Sequence, residues 1–116
     1  KFKEDLKASV ASILSDFGSV KRKDLSVCSN YKEICFVETF YEPEFDLLPY
    51  VDPVIKDNII SGTGKNTFLV DNVAEESFYI GNISVEPDVL CINVVNSRII
   101  LKLEGKGNHV LLSEWA

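Results

Sequence analysis

The chain has 116 residues, of which 46% are hydrophobic and 26% charged, a composition typical of a folded domain and not of a disordered or collagen-like chain. This length allows one hydrophobic core, so we predict a single domain over residues 1–116. The formal net charge is −6, and the one dense basic run is at residues 21–23, which disfavours binding to nucleic acid or to anionic lipid.

The first predicted element is an amphipathic helix over residues 1–18. Apolar residues recur at helical spacing, and Gly18 supplies a stop signal. The start is unusual, because lysines occupy the first turns, where the helix dipole favours negative charge. Two interpretations stay open. Either the helix begins near Glu4 or Asp5, or it continues upstream of Lys1, where the lysines would flank a removed hydrophobic anchor.

The middle of the sequence predicts one central strand followed by broken structure. Residues 33–40 are rich in β-branched and aromatic residues and apolar on both faces, which favours a central strand. Prolines interrupt residues 41–49, so no regular element is expected there. A short helix follows from Pro53, because apolar residues recur at helical spacing after it.

Residues 62–65 contain a Gly-Lys pair that we interpret as a turn. A phosphate-binding loop would need glycine where Ile59 stands and Ser or Thr where Asn66 stands, and it would follow a strand. Short strands are predicted at residues 66–71 and 78–80.

The last part of the sequence predicts an antiparallel β-meander. Residues 89–95 form an apolar run of strand length, and residues 98–104 alternate apolar and polar, which is typical of a strand with one buried face. Asn96-Ser97 is an acceptable two-residue turn between them. A second turn at residues 105–108 leads into a third strand at residues 109–113.

Together these elements predict an α+β fold. The helix of residues 1–18 packs on a mostly antiparallel sheet or sandwich, the β-rich head of residues 33–113, which ends in the meander. No apolar run is long enough to span a bilayer, and no signal-peptide pattern is present. Contact with a membrane would therefore need a segment outside this sequence.

Three cysteines, Cys28, Cys35 and Cys91, leave two interpretations open. Either they are buried thiols, or a disulfide joins Cys35 to Cys91, which both lie in predicted core strands, or Cys28 to Cys35. A bridge closing the longer loop would contribute about 4 kcal/mol in the chain-entropy model. The spacing forms no Cys-x-x-Cys or Cys/His cluster, so we expect no metal site and no cofactor.

No set of residues in the sequence forms a convincing catalytic site. His109 is the single histidine and follows a predicted turn, where an exposed histidine is unremarkable. The acidic residues of the loops are interpreted as solvated charge. We therefore predict that the chain is not an enzyme and that its working surface lies in the proline-broken loop, at Glu42, Glu44, Phe45, Asp46 and Leu47.

Residues 62–70, 78–85 and 91–112 resemble the soluble part of small membrane-anchored extracytoplasmic archaeal proteins, some of which are pilin-like. The resemblance implies a hydrophobic N-terminal helix that continues into an amphipathic one and carries a β-rich head. The hydrophobic anchor of a full pilin is not part of this sequence.

Two functional hypotheses follow. The first is a non-enzymatic extracytoplasmic or cell-surface domain, structural or interacting, that associates with a protein partner or with itself. The basic helix start, the absence of methionine, the cysteines and a glycosylation triplet at Asn82 motivate it. The alternative is an acidic cytoplasmic inhibitor or immunity-type protein that is steered electrostatically to a basic partner.

Overall fold

The computed structural model describes residues 2–27, 31–38, 64–71, 74–85 and 89–115. One helix and eight strands lie within these ranges: α1 (Phe2–Ile13), β1 (Val20–Ser26), β2 (Glu33–Val37), β3 (Thr67–Val70), β4 (Ala74–Phe78), β5 (Ile83–Val85), β6 (Val89–Asn93), β7 (Arg98–Gly105) and β8 (Val110–Glu114). The short helix predicted after Pro53 falls outside the described residues.

The strands form two four-stranded sheets. The first has the order β1-β7-β8-β5 and the second the order β4-β3-β2-β6. Every pairing is antiparallel except β5 with β8, which is parallel. The predicted α+β class, a helix on antiparallel-rich sheets with a succession of C-terminal strands, is confirmed. The predicted central strand is β2, which lies between β3 and β6.

The C-terminal strands are divided between the two sheets. Asn96 and Ser97 have φ values of 52° and 60°, as the tight primed turn between twisted strands requires. The flanking Val95 and Arg98 exchange two backbone hydrogen bonds of 3.0 Å. Beyond this bridge the strands diverge, because β6 pairs with β2 in the second sheet while β7 pairs with β1 and β8 in the first. The meander therefore links the two layers.

The core lies where the helix and the inner faces of both sheets meet. Strand β7 shows the predicted alternation, with its odd-numbered side chains Ile99, Leu101 and Leu103 buried. One apolar cluster joins residues of the helix and both sheets, among them Leu6, Val10, Ile13, Leu25, Ile34, Phe36, Ile83, Ile92 and Leu112. Burial of this apolar surface is the main force that holds the layers together.

Helix α1 rules out one of the two predicted starts and ends earlier than predicted. It begins by Phe2, which is buried, so the expected late start near Glu4 or Asp5 is wrong. It ends at Ile13 and not at Gly18, which lies with a φ of 87° in the turn between α1 and β1. Among the described residues, no helix combines the length and the hydropathy that a membrane crossing needs.

Gly105 lets the end of β7 lie against the end of α1. Its amide donates to Ser19 O and its carbonyl accepts from Gly18 N, both at 2.9 Å. A Cβ atom added at Gly105 would lie 2.3 Å from Asp16 O and 2.4 Å from Ile13 O. Glycine is therefore required here for a close backbone approach.

Three strands depart from the sequence prediction. Strand β1 covers the basic run and was not expected, since Leu25 is its single buried residue and leaves almost no hydrophobic period to detect. Strand β4 lies earlier than the strand predicted at residues 78–80. Strand β5 has only three residues, and its parallel pairing with β8 could not be foreseen from local pattern.

Candidate functional site

Exposed apolar side chains mark one face of the first sheet. Five large apolar side chains are exposed among the described residues, and three of them, Val20, Val95 and Trp115, line two neighbouring cavities. We call these three residues the tryptophan surface. Exposed aromatic residues are enriched where proteins bind one another.

Trp115 is positioned by the backbone of the first sheet. Its amide donates to Ile100 O at 3.3 Å, which continues the β7–β8 pairing by one residue. Side chains alternate along a strand, and the buried Val110 and Leu112 face the core. Trp115 therefore lies on the outer face of the sheet.

Arg22 covers part of the tryptophan ring. Its guanidinium carbon lies 6.0 Å from the ring centroid of Trp115, within the range of a cation–π contact. Strand β1 reaches Trp115 through β7, because Arg22 is paired with Lys102 and Lys102 with Ser113. The outer face therefore joins an aromatic ring to a cation that is not buried.

Two open cavities flank Trp115 and share Glu114 and Trp115 in their walls. One, of about 430 Å³, is completed by Val20, Lys102 and Ser113. The other, of about 310 Å³, extends past Val95 and Arg98 toward β6. Both combine apolar walls with charged rims, which is the composition of a protein-binding surface more than of an enclosed small-molecule pocket.

Among the residues that the structure describes, the outer edge of β1 carries unpaired backbone groups. Ser19 O accepts from Gly105 N, and Val27 N donates to Ser97 O at 2.8 Å. The odd-numbered residues of β1 therefore direct their backbone N–H and C=O groups toward β7. In an antiparallel pair the alternate residues point their N–H and C=O groups the other way. The outward N–H and C=O groups belong to Val20, Arg22, Asp24 and Ser26. Within the described part of the chain, these backbone groups have no hydrogen-bond partner.

The opposite face of β1 carries two lysines beside the helix. Lys21 and Lys23 share the side of the strand on which Leu25 is buried, and they line a groove of about 210 Å³ between β1 and α1. Asp5 and Ser9 form part of its helical wall. Across the residues that the structure describes, neither lysine lies within salt-bridge distance of a carboxylate.

The structure brings Cys35 and Cys91 together. They occupy directly opposite positions on β2 and β6, and their sulfur atoms lie 2.13 Å apart, at disulfide bonding distance. Cys35 is buried beside Val37, Phe68 and Val70 on the outer face of the second sheet, whereas Cys91 is exposed. Cys28 lies outside the described residues.

Glu33 completes a small group of potential metal ligands with the two cysteines. One of its carboxylate oxygens and both sulfurs lie within 4.8 Å of one another. Metals bind the thiolate form of cysteine, and sulfurs joined in a disulfide have no thiolate to offer. The group therefore provides no metal site in the bonded state.

Asn82, the predicted glycosylation residue, lies in the turn between β4 and β5. Its Oδ1 accepts a hydrogen bond of 2.8 Å from the hydroxyl of Tyr79, and its carbonyl accepts one of 3.0 Å from Val110 N. The side chain is half-buried. This asparagine anchors the turn to β8, whatever its modification.

The predicted interaction loop cannot be placed next to this surface. Glu42, Glu44, Phe45, Asp46 and Leu47 all lie outside the described residues. His109 is described, and its Nδ1 lies 2.7 Å from Oδ1 of its neighbour Asn108.

Glu104 and Lys106 form an ion pair at the end of β7. The hydrogen bond from Lys106 lowers the pKa of Glu104, and the charges of Lys106 and Lys102 lower it further. These side chains hold the end of β7 beside the turn that leads into β8.

Sequence reasoning missed the tryptophan surface and the β1 edge. Trp115 is the single tryptophan and follows directly after the last predicted strand, which is a signal that a search for exposed aromatic anchors could have used. The basic run was considered only as a possible nucleic-acid signal. No local pattern indicated that it forms an edge strand.

Comparison with known proteins gives no relatives. The chain matches no protein-family model, no curated protein and no solved structure. The resemblance to pilin-like archaeal proteins therefore stays a prediction.

Proposed function

We propose that this chain is a non-enzymatic protein-interaction domain of an oxidising, extracytoplasmic compartment, and that it binds its partner through the tryptophan surface. The observation that carries the proposal is the group formed by Val20, Val95 and Trp115, which stand exposed around two cavities that share Glu114 and Trp115 in their walls.

The chemistry of this surface suits protein binding. Trp115 is 41% exposed and Val95 63% exposed, so a partner that covered them would remove apolar area from water. Arg22 and Arg98 lie at the rim, and arginine and tryptophan are the residue types that contribute most at protein interfaces.

The compartment is proposed from the Cys35–Cys91 pair. The two sulfurs lie at bonding distance on neighbouring strands, and structural disulfides persist where the surroundings are oxidising. A bridge of this loop length also supplies stabilisation that a small domain needs.

Neither alternative from the sequence draws comparable support. The inhibitor hypothesis requires an acidic surface for a basic partner, whereas the charges around the tryptophan surface are mixed, with Arg22, Lys102 and Arg98 beside Glu114. Membrane anchoring through a segment upstream of Lys1 stays a prediction that the described residues do not address.

Site-specific photo-crosslinking in the producing cells tests the interaction. A photoreactive phenylalanine analogue at Val20 should yield one discrete crosslinked species, either a heteromer or a dimer of this chain. The same analogue at Lys7, which is exposed on α1, is the matched control and should not yield it. Absence of any Val20-specific species would refute the interaction.

The role of the tryptophan is tested in the same cells. Trp115→Ala should reduce the Val20 crosslink about tenfold or more, as expected for the central residue of an interface. Phe17→Ala removes another exposed aromatic that lines neither cavity and should leave the yield unchanged. Equal yields in both variants would place the interface elsewhere.

The redox state of Cys35 and Cys91 in the producing cells tests the proposed compartment. Cells are quenched with acid, and the protein is unfolded in denaturant and alkylated before and after reduction, followed by mass spectrometry, because Cys35 is buried in the folded protein. Cys35 and Cys91 should be alkylated only after reduction. Full alkylation of both before reduction would contradict an oxidising compartment.

A further inference from the structure

We infer that the partner supplies an acidic extended segment, which adds to the first sheet as a new strand along the outer edge of β1. This inference rests on the proposed function and names the chemistry of the partner. It is carried by the backbone groups of β1 that have no hydrogen-bond partner in the described ranges, together with the charges on both faces of the strand.

The backbone of β1 offers a complete set of groups for strand addition. The strand has seven residues, and the outward N–H and C=O groups belong to Val20, Arg22, Asp24 and Ser26. All four residues are exposed. An extended peptide can pair with such an edge through main-chain hydrogen bonds, while its alternate side chains meet the two faces of the sheet.

The charges of β1 select an acidic strand. Lys21 and Lys23 stand on the face beside α1, where acidic side chains of an added strand would lie opposite them. On the other face, Val20 and the Arg22–Trp115 contact offer apolar cover. Asp24, the one acidic residue of the strand, is already paired with Arg98 at 3.1 Å. A segment that alternates acidic and apolar residues matches both faces.

The competing explanation is protection of the edge. Lysines on an edge strand discourage pairing with another chain, and this role requires only that nothing binds. The two explanations differ in their response to an acidic strand, since a protected edge refuses every extended peptide, whereas a docking edge accepts one of opposite charge.

The experiment uses the full chain and a fluorescent peptide of the length of β1 that alternates glutamate and valine. A lysine–valine peptide and a glutamate–valine peptide with a central proline are the controls, because proline removes backbone donors. Binding is followed by anisotropy at low and moderate salt. Amide hydrogen exchange is measured by NMR on the free and the bound protein.

The acidic peptide should bind, and its binding should protect the amides of Val20, Arg22, Asp24 and Ser26. Protection of these alternate residues is specific to strand pairing. Lys21→Glu and Lys23→Glu should each weaken binding about three- to tenfold, since each replaces an exposed attraction by a repulsion. Lys7→Glu makes the same charge change on α1 and should have no effect.

Each other result overturns the inference. Equal binding of the lysine–valine peptide removes charge selection, and equal binding of the proline peptide removes strand pairing. No binding by any peptide identifies the lysines as edge protection. If the Val20 crosslink to a partner persists in that last case, the proposed interaction domain stands and only its acidic-strand partner is rejected.

Discussion

Replacing Gly105 by alanine should destabilise the protein, because the backbone at the end of α1 and in the turn after it occupies the place of the new methyl group. The Cβ would lie 2.3 Å from Asp16 O and 2.4 Å from Ile13 O, about 1 Å closer than ordinary contact. Both obstacles are main-chain atoms, so no side-chain rotation can relieve the overlap. The end of β7 and the end of α1 must separate.

The expected cost is about 2–4 kcal/mol in the free energy of unfolding. Overpacking of a well-fitted site costs about 1–3 kcal/mol. Separation also weakens the two hydrogen bonds that join Gly105 to Gly18 and Ser19, each contributing about 1 kcal/mol. At a position with free space the sign would reverse, since Gly→Ala stabilises by about 0.4–1 kcal/mol through the unfolded chain.

Urea unfolding followed by circular dichroism measures this difference. Gly107→Ala is the control, because the nearest atom to its added Cβ is a side-chain carbon of Phe17 at 3.8 Å and its φ is +95°. That variant should lose only the backbone cost, about 1–2 kcal/mol. Gly105→Ala stability equal to or above that of the wild-type protein would refute the close approach of β7 to α1.

Three further results are expected. Asn66→Ala should lower the unfolding free energy by about 2–4 kcal/mol in urea titrations, because the buried Asn66 side chain donates to Gly81 O and accepts from Ile80 N. A cost below that of an exposed Ser12→Ala variant would contradict the stabilising role of these two hydrogen bonds. Reduction of the Cys35–Cys91 bond, which spans 56 positions, should lower the unfolding free energy by about 4 kcal/mol. An unchanged urea midpoint after reduction would show that no bond existed. In an NMR titration the pKa of Glu104 should lie below its ordinary value of 4.5, and it should return toward that value in Lys106→Ala. The stability that this ion pair contributes is present above the ordinary pKa and is lost as the pH falls through the lowered pKa of Glu104.

The sequence predicted the layers of this fold better than their connections. Alternation along residues 98–104 predicted the buried face of β7 correctly, because the alternation of apolar and polar residues can be recognised from consecutive positions in the sequence. The local sequence does not indicate which sheet β6 joins, since Leu90 and Ile92 would suit the buried face of either sheet. Which sheet a strand joins depends on distant partners, here β2.

The candidate site was harder to predict for the same reason. Trp115 and Arg22 are far apart in sequence and meet only because β7 pairs with both flanking strands. Strand β1 has one buried residue, Leu25, so it is held mainly by its ladder to β7, and a hydrophobic pattern could not reveal it.

Strand β8 is the last strand in the chain and lies inside the first sheet, between β7 and β5. During synthesis, β5 and β7 leave the ribosome before the strand that separates them exists. The first sheet therefore cannot be completed until residue 114 has emerged from the exit tunnel. Until then the edges of β5 and β7 that face β8 lack their partner, and unpaired strand edges of this kind make folding intermediates prone to aggregation.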